Sequence, residues 1–164
     1  MRASVGSMWI FSICLTFIIL FTAYLAISVN YAKAFRIKNN IIDKIEENEG
    51  YTVSLQKSID DYLTNQGYNA YGVCDPYVSA DGKKDDWVLE ECLKYGEVPT
   101  NMCSVCLYRS VADNQKDPVI KANRSYYRVV TFFNFDLPVI RGALPSFQVA
   151  GQSRYISDFA NVGK

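Results

Sequence analysis

The chain has 164 residues, 17 basic and 17 acidic side chains, five cysteines and no histidine. That length fits one domain. The even charge offers no basic field for nucleic acid, and the missing histidine removes Ser-His-Asp, Cys-His and most zinc-hydrolase arrangements. Leaving out Arg2 and Lys33, the remainder carries 15 basic against 17 acidic side chains.

From Ala3 to Ala32 no side chain is charged, and the apolar run through Met8, Trp9, Ile10 and Phe11 continues to Val29. This exceeds the roughly 20 residues that cross a bilayer core. Trp9 and Tyr31 lie 22 residues apart, about 33 Å on a helix, which suits one aromatic at each lipid–water boundary. Ala32-Lys33-Ala34 has the form of a signal-peptidase site, but a signal core is only about 7–15 apolar residues. Residues 1–32 therefore read as a transmembrane anchor and residues 33–164 as an extracytoplasmic α+β domain.

Two rules disagree on sidedness. Lys33, Arg36 and Lys38 follow the span whereas only Arg2 precedes it, so the positive-inside rule would place the domain in the cytoplasm. Cys74, Cys92, Cys103 and Cys106, with the Asn123-Arg124-Ser125 sequon, favour the outside, where four cysteines in a small domain read as two disulfides of open connectivity. A zinc site is the competing reading, but a single CxxC is present where zinc ribbons carry two. Cys14, inside the span, serves as a small apolar residue. The reading adopted is a single-pass cell-membrane protein with the N-terminus inside.

Neither glycine nor proline occurs between Gly6 and Gly50, which predicts one helix of about 43 residues and roughly 65 Å. Beyond the span, Ile37, Ile41, Ile42 and Ile45 recur at helical spacing. A second helix is expected from the N-cap Thr52 to Gly67, with Leu55, Ile59, Tyr62 and Leu63 on one stripe. Short strands are expected over Tyr68–Cys74 and Cys103–Val111, and stronger ones over Tyr126–Phe135 and Phe147–Tyr155. Asp75–Asp86 reads as a polar loop, and Trp87–Leu93 as a short helix. The sum is an α+β fold, a long helix laid on an antiparallel meander.

On a helix of 3.6 residues per turn, Ser12, Thr16, Ala23, Ala26 and Asn30 fall within about 40° of one line, which continues through Ala34, Ile37 and Ile41. Small and weakly polar residues on one stripe let a second helix approach closely in lipid. Asp81, Asp85, Asp86, Glu90 and Glu91 lack the spacing of a calcium loop, and no Gly-rich phosphate loop is present. The reading assigns no catalytic set, metal or cofactor.

The short N-terminus, single apolar span and Asn30-Tyr31-Ala32-Lys33-Ala34-Phe35 leading into a polar helix resemble the TadE-like accessory proteins of tight-adherence (Flp-type) pili. So does the terminal hairpin, Val129-Val130-Thr131-Phe132-Phe133-Asn134-Phe135-Asp136-Leu137-Pro138 returning through Phe147-Gln148-Val149-Ala150-Gly151-Gln152-Ser153. Family members processed like pilins resemble one another in a glycine before the span and a glutamate five residues on. Here Gly6 and Phe11 stand at those positions. The resemblance implies a pilin-like structural or assembly subunit of a pilus or secretion machine, not an enzyme, whose partners are membrane lipid and other membrane subunits. Two other readings are a solitary tethered binding module with Tyr68, Tyr71, Tyr77, Tyr126 and Tyr127 as its surface, and a thiol oxidoreductase using Cys103 and Cys106.

Overall fold

The structure, a computed structural model, describes residues 2–78, 87–110, 123–134 and 146–158. A single helix, α1, runs from Arg2 to Glu47. Its first half carries apolar side chains exposed on every side, from Met8 at 78% to Val29 at 67%, and it is long and apolar enough to cross a membrane. Its second half is one-sided. Ala34, Ile37, Ile41 and Ile45 are buried while Phe35, Arg36 and Asp43 are exposed.

Both helix ends are closed by the same pair of hydrogen bonds. At the end of α1, Gly50 N–H bonds Ile45 C=O at 3.1 Å and Glu49 N–H bonds Glu46 C=O at 3.4 Å, with Glu49 left-handed at φ 51°. The second helix, α2 (Val53–Asn65), starts at Thr52, whose hydroxyl accepts from Leu55 N–H. It buries Leu55, Ile59 and Leu63. Gly67 closes it at φ 55°, where Gly67 N–H bonds Thr64 C=O and Tyr68 N–H bonds Leu63 C=O.

Seven strands follow among the described residues: β1 (Tyr77–Val78), β2 (Trp87–Leu93), β3 (Val105–Ser110), β4 (Asn123–Ser125), β5 (Tyr127–Phe133), β6 (Phe147–Gln152) and β7 (Ile156–Asp158). An antiparallel sheet has the order β1-β2-β3-β5-β6, and β4 pairs separately with β7. The α+β class and the antiparallel meander are therefore as expected. Residues Tyr127, Val129, Thr131 and Phe133 of β5 alternate onto the face under α1. There the Thr131 hydroxyl donates to Ala34 C=O at 3.1 Å.

Two expectations fail, and within the expected Asp75–Asp86 loop Tyr77–Val78 forms β1 by pairing with β2. Trp87–Leu93 is a strand rather than a helix, because it pairs with β3 from Trp87↔Ser110 to Leu93↔Val105. A register shift between Leu89 and Glu91 absorbs the polar Glu90-Glu91 step. Tyr68–Cys74 is not a strand. Among the described residues its one pairing is the bridge Gly72↔Cys103, and it crosses the sheet face opposite α1 as a strap, with Gly72 against the Phe132 ring. The remaining expected turns, at Asp81-Gly82 and Asp136-Leu137-Pro138, lie outside the described residues.

A Cβ at Gly72 would penetrate the Phe132 ring, and such overpacking costs about 1–3 kcal/mol. Gly72→Ala should lower chemical-denaturation stability by that amount, and Phe132→Leu in the same chain should return part of it.

Candidate functional site

The functional groups gather along α1 and where it meets the sheet. On the predicted stripe, Ser12 and Thr16 are exposed and Ala23 and Ala26 are partly covered. The Thr16 hydroxyl is turned inward, donating to Ser12 C=O at 2.9 Å, which leaves a shallow, weakly polar surface at this point. Asn30 behaves differently, since its side chain donates to Asn134 C=O at 3.2 Å. Ala34, Ile37 and Ile41 are buried in the domain's own core. The line of small residues thus passes from an open surface to an intramolecular seam, and Asn30 marks the changeover.

A recess of about 220 Å³ opens at that level, lined by Asn30, Lys33, Tyr68, Asn69, Phe133 and Asn134 among others. Lys33 Nζ donates to Gly67 C=O at 3.1 Å, tying α1 to the end of α2. Tyr68 forms the inner wall. Its hydroxyl accepts from Phe132 N–H at 2.8 Å and donates to Phe132 C=O, one residue past the last β3–β5 pair, Val105↔Thr131. A phenol therefore satisfies backbone groups that no strand reaches, as buried peptide groups require. Beside the recess runs an aromatic ladder. Tyr31 meets Phe133 edge-on at 5.8 Å and Phe35 at 6.2 Å, and Phe133 stacks on Phe147 at 5.5 Å. Lys38 lays its stem against Gly151 and its ammonium 4.1 Å over the Phe35 ring.

The sequence reading missed Lys33, Tyr68 and the ladder as a group. Their signal was faint: Phe133 and Phe147 are a cross-strand pair, visible only once the hairpin register is known. The tyrosine surface suggested for a binding module is also corrected in part, because Tyr68 and Tyr127 are buried at 2% and 0% exposure and serve packing.

The four domain cysteines form two bridges, Cys74–Cys106 and Cys92–Cys103. Cys103 and Cys106 of the CxxC are each bonded elsewhere: Cys106 lies within β3 and meets Cys74 of the strap, and Cys103, just before β3, meets Cys92 of β2. The sulfurs of Cys74, Cys92 and Cys103 lie within 4.8 Å of one another. In the bridged state they present no thiolate to a metal.

Burial pushes the Tyr68 phenol well above the usual tyrosine range, against the opposing pull of its bond to Phe132. Tyr51 is raised by burial and then by Glu91, Asp60 and Glu90, and Tyr108 by burial and then Asp75. An unfolded tyrosine releases its proton near pH 10 while the folded one holds it. The associated stability is intact below about pH 10 and lost as pH rises from there toward the folded value.

Tyr68→Phe should lower stability by about 1–3 kcal/mol, the cost of orphaning buried backbone groups. It should also reduce, though not abolish, the alkaline loss of stability followed by circular dichroism. Non-reducing peptide mapping should recover Cys74–Cys106 and Cys92–Cys103. The bridges span 32 and 11 residues, so loop entropy makes removal of the first cost about 1 kcal/mol more than removal of the second. No protein-family model, curated protein or solved structure matches this chain, and its function is read from the geometry just described.

Proposed function

We propose that this chain is a membrane-anchored structural or assembly subunit of pilin-like build, resembling TadE-like proteins, with its α+β domain outside the cytoplasm. The observation that carries the reading is the continuity of α1. One uninterrupted helix is apolar and exposed on all sides in its first half and forms the domain core in its second. A bare apolar rod of this length is untenable in water and is what a bilayer accepts.

Supporting observations come from the seam and the cysteines. Ala34, at the candidate cleavage site, is buried and accepts the Thr131 hydrogen bond, so the helix there belongs to the domain as much as to the anchor. Two bridges in a small domain favour an oxidising compartment. Two of the three basic residues after the span, which argue for the other orientation, have work inside the fold: Lys33 binds Gly67 and Lys38 packs on Gly151. The open part of the stripe, Ser12, Thr16, Ala23 and Ala26, is the surface for a partner helix, from a second subunit of the same machine.

The chain should float with membranes and resist alkaline carbonate extraction. On intact cells an impermeant maleimide should label the domain cysteines only after an impermeant reductant. Labelling that needs lysis and no reductant would put the domain in the cytoplasm and sink the proposal. Ala23→Leu with Ala26→Leu should abolish co-purification of the partner while leaving carbonate resistance intact. Unchanged co-purification would remove the stripe from the proposal.

A further inference from the structure

The membrane-proximal end of the domain combines three features that the anchor role does not use. The first is the aromatic ladder. Tyr31, Phe35 and Phe147 remain 48%, 41% and 40% exposed, although each touches another ring. The second is position. At 1.5 Å per residue, Tyr31 and Phe35 lie about 3 Å and 9 Å beyond Val29, the last exposed apolar residue of the run. A bilayer's headgroup layer is roughly 5–8 Å deep on each side, so Tyr31 falls within it and Phe35 at its outer edge. Phe133 and Phe147 are held at the level of Tyr31 by their ring contacts, and Asn134 is held there by Asn30.

The third is charge. No acidic side chain occurs before Asp43, and the segments that meet at this rim, residues 65–70, 132–134 and 146–148, contain none. Lys33 and Arg36 stand on the same turns of α1 as Tyr31 and Phe35. Lys33 lines the polar recess, and with Arg36 it lines an adjoining groove against Tyr62 and Gln66 at the end of α2. Rings that begin at glycerol depth and end at the outer edge of the headgroups, with cations nearby and no carboxylate in the described segments that meet here, match a phospholipid headgroup layer.

We propose that this rim, formed by Tyr31, Phe35, Phe133 and Phe147 with Lys33 and Arg36, is seated in the headgroup layer of the bilayer that holds α1 and prefers anionic phospholipid there. The inference rests on the anchor reading and deepens it by naming the surface on which the domain sits. Lys38 backs Phe35 from the protein side, and Gly151 leaves room for its stem. The rings are therefore fixed in place before lipid arrives, which spares the ordering cost of binding.

The test uses the full chain in nanodiscs of phosphatidylcholine, with or without added phosphatidylglycerol, carrying a headgroup nitroxide quencher. Trp9 reports the span and Phe147→Trp reports the rim, each by difference from a chain lacking that tryptophan. Phe35→Trp repeats the rim reading if Phe147→Trp disturbs the hairpin. The proposal expects quenching at Trp9 and at the rim, with a blue-shifted rim emission. It also expects Arg36→Gln to weaken the preference for phosphatidylglycerol about fivefold, the effect of one cation near an anionic surface. Quenching at Trp9 with an unquenched, water-like rim would overturn the proposal and leave the anchor standing. So would a rim shielded by cross-linking to a second copy. An unquenched Trp9 would overturn both.

Discussion

The close approach of α1 to β5 and β6 is the contact on which the other features depend. It is possible because the residues at the crossing are small or can bond: Ala34 on the helix, Gly151 on β6, and Thr131, whose hydroxyl reaches a helix carbonyl. A Cβ at Gly151 would come within 2.7 Å of the Lys38 stem and 2.9 Å of Ile42. Any larger residue would have to displace the Lys38 stem and the end of Ile42. With the helix seated, Ile37, Ile41 and Ile45 cover one face of the sheet, and Glu46 reaches the chain just past β6 to bind Arg154 at 3.0 Å. A helix that is also built to enter lipid thus acquires one fixed orientation relative to its domain.

The opposite face is covered more economically. No helix lies there among the described residues. The strap from Gly67 to Pro76 crosses it, held by the Gly72↔Cys103 bridge, the Phe132 contact and the Cys74–Cys106 bond. A strap has too little side-chain bulk to stay down by packing alone, and a covalent tie supplies what a larger core would. Tyr68 does the equivalent at the sheet's end, where a hydroxyl stands in for the missing strand.

Much of this was legible in the chain. The run without glycine or proline up to Gly50, the Thr52 cap and the Leu55-Ile59-Leu63 stripe each depend on local spacing, and the helices follow them. β3, β5 and β6 were readable because one face is buried and the alternation is strong. What was lost depended on partners distant in sequence. Glu90-Glu91 inside β2 looks helical until β3 is beside it. Gly72 looks like a strand residue until the Phe132 ring is above it. Cysteine counting left three pairings open, and only the path of the strap, fixed by the Gly72↔Cys103 bridge, brings Cys74 to Cys106. The stripe on α1 was visible in full, yet the sequence did not show that Asn30 and the residues after it are turned toward the molecule's own sheet.

One property of α1 has a mechanical consequence. Between Gly6 and Gly50 there is no residue at which the helix would swivel. Asn30 and Lys33 pin its first extramembrane turn to the domain. For a subunit anchored as proposed, torque applied to the half in lipid is passed on to the sheet. The azimuth of the helix among its neighbours in the membrane therefore sets the compass bearing of the whole outer domain, so a partner that grips α1 in lipid also chooses which side of the domain faces outward.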